Sequence, residues 1–213
     1  MANTIDILGD DAVTDSIIDG SITELVDDQI TSIGGSVFRN CSALTSIDLP
    51  AATSIADGAF YNCSKLTSID LPAATSIADA VFQSCSALTS IDLPAATNVG
   101  YSAFYSCTAL TSIVLPSVTT IINNTFNSCS ELISVDLPVA TAINTYAFRN
   151  CSKLTRVILR NTTKAASLAN INAFAGADNA IIYVPDALAD NYKAATNWST
   201  YADRIKGLSE LPA

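Results

Sequence analysis

Histidine is absent from this chain of 213 residues. That removes imidazole as a metal ligand and as a general base near neutral pH. Positive charge is also scarce: 10 Lys and Arg stand against 20 Asp and Glu, for a net charge of −10. A nucleic-acid binder needs a cationic footprint, so that class is excluded. Charged residues of both signs reach only 14%, well under the usual quarter or so, so the polar surface must be built from Ser, Thr and Asn. No apolar run approaches about 18 residues, and membrane insertion is not expected. The opening "MANTIDILGDDAVTDSIIDG" lacks a basic stretch followed by a continuous apolar one. It is not a secretory signal, so either the chain is not exported by that route or a leader has been trimmed. No P-loop, G-x-S-x-G or G-x-G-x-x-G occurs, and no cofactor is implied.

What is present is regularity. The six cysteines, Cys41, Cys63, Cys85, Cys107, Cys129 and Cys151, fall at intervals of 22 residues. Phe38, Phe60, Phe82, Phe104, Phe126 and Phe148 keep the same step, as do Leu44, Leu66, Leu88, Leu110, Leu132 and Leu154. Pro50, Pro72, Pro94, Pro116 and Pro138 follow the same rule. The unit is L-x-x-I-x-L-P-x-x-T-x-I-x-x-x-x-F-x-x-C-x-x. A fixed period in this range marks a solenoid, in which each coil buries its inward side chains only by stacking on the next.

Within a unit, "LTSIDLP" reads as a half-buried strand: Ile69 and Leu71 alternate with Ser68 and Asp70. Pro72 has no N–H and ends the pairing. The return "ATSIADGAF" turns Ile77, Phe82 and Cys85 inward. Both ends degenerate. Residues 22–41 fit a first unit in which Asp27 replaces the second strand leucine, and the unit from Leu154 carries four extra residues before "INAF". A last strand, "IIYVP", ends at Pro185, so eight strands are expected. The tail "PDALADNYKAATNWSTYADRIKGL" reads as helix, with Asp186 as N-cap, an apolar face of Leu188, Tyr192 and Ala195 continued by Trp198, Tyr201 and Ile205, and a stop at Gly207.

The L-x-x-I-x-L core, the "LP" that ends the strand and the "AF-x-x-C" of the return together resemble the BspA-like bacterial leucine-rich repeat family, over roughly residues 22–185. The resemblance implies a leucine-rich repeat solenoid of short parallel strands on the concave side, with irregular or 3-10 returns. It also implies a surface or secreted adhesion and interaction protein, not an enzyme. Three segments are expected: an acidic N-terminal cap over 1–21, the solenoid over 22–185 and a helical cap over 186–213. Charge divides unevenly between them. Residues 1–148 hold −13 and residues 149–213 hold +3.

Three sets of residues invite a functional reading. The cysteine column is expected to be a core ladder. In-register side chains keep the coil spacing of about 4.8 Å, longer than the roughly 3.8 Å between disulfide Cβ atoms. A straight column cannot converge on zinc, and no base activates a thiolate. The second set is Asp48, Asp70, Asp92 and Asp136, a row of outward carboxylates interrupted by Val114 and ended by Ile158. Like charges at that spacing disfavour mutual ionisation. Weak calcium binding, docking of a basic partner and a plain solvated face all stand open. Catalysis does not, because it needs acids in two different environments. The third set lies where the repeats disagree: Arg39, Tyr61, Gln83, Tyr105, Asn127 and Arg149 directly after each phenylalanine, with Tyr101 and Tyr146 just before. Tyr and Arg concentrate binding energy at interfaces, although unconstrained loops also drift. The expected function is recognition of a protein or glycan partner through these surfaces. The alternative is a structural spacer, at the cell surface or in a phage particle, docked through its C-terminal helix. Oligomeric state is left open, monomer by default.

Overall fold

The computed structural model describes residues 12–13 and 23–212. Apart from Ala12–Val13, the acidic segment expected to cap the N-terminus lies outside the described residues. From Glu24 onward the chain winds through coils that each contribute one front strand. The front sheet runs in chain order through Glu24–Val26, Ser46–Asp48, Ser68–Asp70, Ser90–Asp92, Ser112–Val114, Ser134–Leu137, Arg156–Leu159, Ile181–Val184 and Ile205–Gly207. Neighbours are parallel and paired one coil apart, Ile47 against Ile69 and Ile113 against Val135. Alternation does what the sequence requires of it: Ile47 and Leu49 are buried while Asp48 is exposed.

In the five regular coils Pro50, Pro72, Pro94, Pro116 and Pro138 each begin a turn from the front strand into a second, two-residue strand, and the coils on either side make such a strand without the proline. Ala12–Val13, Ser32–Ile33, Ser54–Ile55, Ser76–Ile77 and Asn98–Val99 form one parallel ladder, and Thr120–Ile121, Ala142–Ile143 and Ser167–Leu168 form another. The break between them falls where Val118 stands in the buried column otherwise held by Ala52, Ala74, Ala96 and Ala140. Front and back are both hydrogen-bonded ladders, each advancing about 4.8 Å per coil where it is paired.

Between the back strand and the cysteine, two residues per coil take a left-handed conformation. One column is Ser36, Gly58, Ala80, Ser102, Asn124 and Tyr146; the other is Asn40, Asn62, Ser84, Ser106, Ser128 and Asn150, continued by Gly176. These turns aim the phenylalanine inward. Successive rings from Phe38 to Phe174 stack with centroids 5.1–5.7 Å apart. The scarcity of charge is answered by hydroxyl ladders. Thr45 Oγ1 donates to the Thr23 carbonyl at 2.8 Å; Thr67 repeats the bond one coil on and Thr111 three coils on, each at 3.1 Å.

The C-terminal segment differs from the single helix expected. It holds a 3-10 turn Asp186–Leu188, an α-helix Ala189–Ala194 of only six residues, a 3-10 stretch Trp198–Arg204 and then a ninth front strand, Ile205–Gly207. The helix stops because Ala195 is extended and Asn197 has φ +64°. Sheet pairing then prevails, since strand Ile181–Val184 offers an open row of backbone groups and Ile205 pairs with Ile182. Asp186 is not an N-cap: its carboxylate accepts from the Ser209 hydroxyl and backbone N–H instead. Among the described residues, no helix is long and apolar enough to cross a membrane.

Candidate functional site

The cysteine column is core. All six sulfurs are buried, and among the described residues none is in a disulfide. Each thiol from Cys63 to Cys151 donates to a phenylalanine carbonyl of the preceding coil, Cys63 to Phe38 at 3.1 Å and Cys107 to Phe82 at 3.0 Å. Burial pushes the Cys85 and Cys151 thiols up to about 12. It also raises Cys63, Cys107 and Cys129, with neighbouring cysteines of the column adding to the shift. A thiol held protonated is a poor nucleophile and a poor metal ligand.

On the front face, Asp48, Asp70 and Asp92 face solvent in register across three adjacent strands. Asp136 is set apart from them. Val114 lies between it and Asp92 in the ladder, and Ile158 follows. Arg160 grips the Asp136 carboxylate at both ends, donating from Nη2 at 2.9 Å and from Nε at 3.1 and 3.2 Å. Sequence reasoning missed that partner because it sits 24 residues away, off the 22-residue step. A shallow depression of about 350 Å³, lined by Ser90, Ile91, Asp92, Ser112 and Ile113, marks the middle of the face. Among the described residues no three acidic or cysteine side chains are grouped so as to hold a metal ion.

The loop edge is more ordered than a drifting surface. The Arg39 guanidinium lies 4.1 Å above the Tyr61 ring one coil on, and Arg149 lies 5.0 Å from the Tyr146 ring. Tyr101 is 47% exposed, and its hydroxyl accepts from Asn124 Nδ2 at 3.0 Å. Tyr105 and Gln83 are half-buried and Arg149 is exposed. Asn127 is buried, its amide donating to Asn124 Oδ1 and accepting from the Ser128 hydroxyl. Two carboxylates that sequence reasoning passed over brace this edge. Asp57 accepts from the Asp79 N–H at 3.1 Å, and Asp79 accepts from the Tyr101 N–H at 2.7 Å. Their signal was the repeated "AD" before the variable residues.

The tail closes the last coil with side chains instead of backbone. Trp198 Nε1 donates to the Ala166 carbonyl at 2.7 Å, and the Ala166 N–H donates to the Tyr192 hydroxyl at 2.8 Å. Asn197 Nδ2 reaches the Leu168 carbonyl and Arg204 Nη1 reaches that of Ala177. The Tyr201 hydroxyl donates to the Ile171 carbonyl. These groups replace the hydrogen bonds that a further coil would have made.

The described geometry agrees with what the chain is similar to. A family model for the BspA type leucine rich repeat region matches in six copies, over residues 19–132 and 75–195. A leucine-rich repeat protein of T. pallidum has a similar structure, with 27% identity and a TM-score of 0.65 over 87% of this chain and 78% of that one. A leucine-rich repeat protein from Eubacterium ventriosum is 25% identical at a TM-score of 0.58, over 72% of this chain and 42% of that one. No curated protein matches the sequence.

Proposed function

We propose a non-enzymatic, protein-binding function from one premise: the chain belongs to the BspA type leucine-rich repeat family. The observation that carries the proposal is the loop edge. Framework side chains are buried in columns, whereas Arg39, Tyr61, Tyr101, Tyr105, Tyr146 and Arg149 lie outside them on bonded, braced turns. Amphipathic rings held in place lose little conformational entropy on binding, which favours them as contact residues. A protein partner suits this edge better than a glycan. Arginine already covers one face of Tyr61 and of Tyr146, faces on which a sugar ring would stack. The role is adhesin-like.

The rival reading, a spacer docked through its C-terminal helix, has less to stand on. That helix is six residues long, and its aromatic Tyr192 is buried. The test is a screen of the intact chain against protein and glycan arrays, repeated with Tyr61, Tyr101, Tyr105 and Tyr146 all changed to Ser. Loss of protein capture with little change in melting supports the loop edge, and unaltered capture rejects it. Capture that moves to glycans replaces the protein reading with the sugar one.

A further inference from the structure

The fourth coil, residues 88–109, is bonded unequally to its two neighbours. Toward the third coil its front is thinly held. Ser68–Asp70 and Ser90–Asp92 pair only at Asp70 and Asp92, whereas Ser46–Asp48 and Ser68–Asp70 pair over three residues. Thr45, Thr67 and Thr111 each donate an N–H to the carbonyl one coil back, at 2.7–3.0 Å. Among the described residues Thr89 makes no such bond to Thr67. Ile69 is half-buried there, while Ile47, Ile91 and Ile113 of the same column are buried. Toward the fifth coil it is the back that is open. Thr53, Thr75, Thr97 and Thr141 each donate an N–H to the threonine carbonyl one coil back, at 2.8–2.9 Å. Among the described residues Thr119 makes no such bond to Thr97, and Asn98–Val99 does not pair with Thr120–Ile121.

On the opposite sides the same coil is held closely. At the back, Gly100 donates to the Ile77 carbonyl at 2.8 Å, and a Cβ on it would lie 2.3 Å from the carbonyl carbon of Ala78. At the front, Ser90–Asp92 pairs with Ser112–Val114 over three residues. One tilt accounts for all four sides: the fourth coil leans on the third at the back and on the fifth at the front. Along the loop edge it keeps its bonds to both, from Phe82 N–H to Ala103 at 2.8 Å and from Phe104 N–H to Thr125 at 2.9 Å.

In a solenoid, cooperativity rests on the contacts between adjacent coils, and both interfaces of the fourth coil have one ladder thinned or missing. We infer that the solenoid is jointed at this coil, which divides it into two arms, residues 23–87 and 110–212, that open as separate units. The loop edge crosses the joint. Arg39, Tyr61 and Gln83 lie on one arm, and Asn127, Tyr146 and Arg149 on the other. The joint belongs to the scaffold, so its failure leaves the partner-binding proposal standing.

The cysteines test it, because each reports on its own coil. The intact chain is equilibrated across a urea series and pulsed briefly with a thiol reagent, and mass spectrometry of its peptides reads each cysteine. Fluorescence of Trp198, the single tryptophan, follows the C-terminal arm independently. Cys41, Cys63 and Cys85 are expected to share one urea midpoint, and Cys129, Cys151 and Trp198 another, with Cys107 going with the arm that opens first. One midpoint common to all six thiols overturns the inference, as does a division at any other place in the column. So does progressive loss from the two ends in which Cys85 and Cys107 react last, the behaviour of a uniform array.

Discussion

The indole of Trp198 meets the ring of Phe174 at 6.0 Å and 41° and ends a column of stacked phenylalanines. Tyr201 abuts Phe174 edge-on at 5.5 Å, and Tyr192 abuts Trp198 at 5.3 Å. The cap thus closes the core with aromatic faces and closes the backbone of the last coil with their polar ends. Trp198→Ala is expected to cost about 3–5 kcal/mol, the range for truncating a buried aromatic. Trp198→Phe, which loses chiefly the bond to Ala166, is expected to cost about 1–2 kcal/mol. Urea unfolding measures both; equal losses would show that the aromatic ring contributes nothing beyond the hydrogen bond, and a Trp198→Phe variant as stable as the wild type would show that the bond contributes nothing.

Buried thiols make the fold sensitive to alkali. Cys85 and Cys151 lie near 12 in the fold against an ordinary 9.0. A thiol whose folded value is raised favours the fold as long as it stays protonated in both states. The stabilisation is whole below about pH 9. It is lost between there and about pH 12, as the unfolded chain ionises and the fold does not. Melting temperature should fall across that window, and less steeply once Cys85 and Cys151 are changed to Ala. In the native protein at pH 8 a thiol reagent should react slowly, and after denaturation without reductant it should count six thiols; a lower count contradicts the ladder.

The left-handed turns offer a gain in stability. Ala80 has φ +55°, in the column where Gly58 has φ +61°. An L-residue there costs roughly 1–2 kcal/mol, part of which glycine gives back through the entropy of the unfolded chain. Ala80→Gly is expected to raise the melting temperature slightly, and Gly58→Ala to lower it. A matched decrease in both would remove strain as the reason for the column's composition.

Gly100 is needed for space. A Cβ there would lie 2.3 Å from the carbonyl carbon of Ala78 and 2.4 Å from its oxygen, backbone atoms of the preceding coil. Gly100→Ala is expected to cost about 1–3 kcal/mol through forced separation of the coils. Chemical denaturation checks it, and a cost below that of an exposed control such as Ser86→Ala would show that the coils yield freely.

Much of this was legible in the linear text. A fold that stacks identical coils writes each inward position as a column, so Cys63, Phe60 and Leu66 announced their burial by repetition. The Asp136–Arg160 pair and the ninth strand were not legible, because neither repeats. Of the loop edge, the text gave the residues but not their use. Asn127 and Arg149 occupy equivalent positions, yet one is buried among amides and the other is exposed beside Tyr146.

The sequence by itself determined the solenoid, its period and the inward columns, since apolar side chains at a fixed step have only one way to leave water together. Tertiary structure decided the rest: where the back ladder breaks and how the chain ends. Those outcomes turn on contacts between coils, as where an open strand takes Ile205 from a helix. Local pattern holds no record of such competition, because it is settled only when the neighbouring coil is in place.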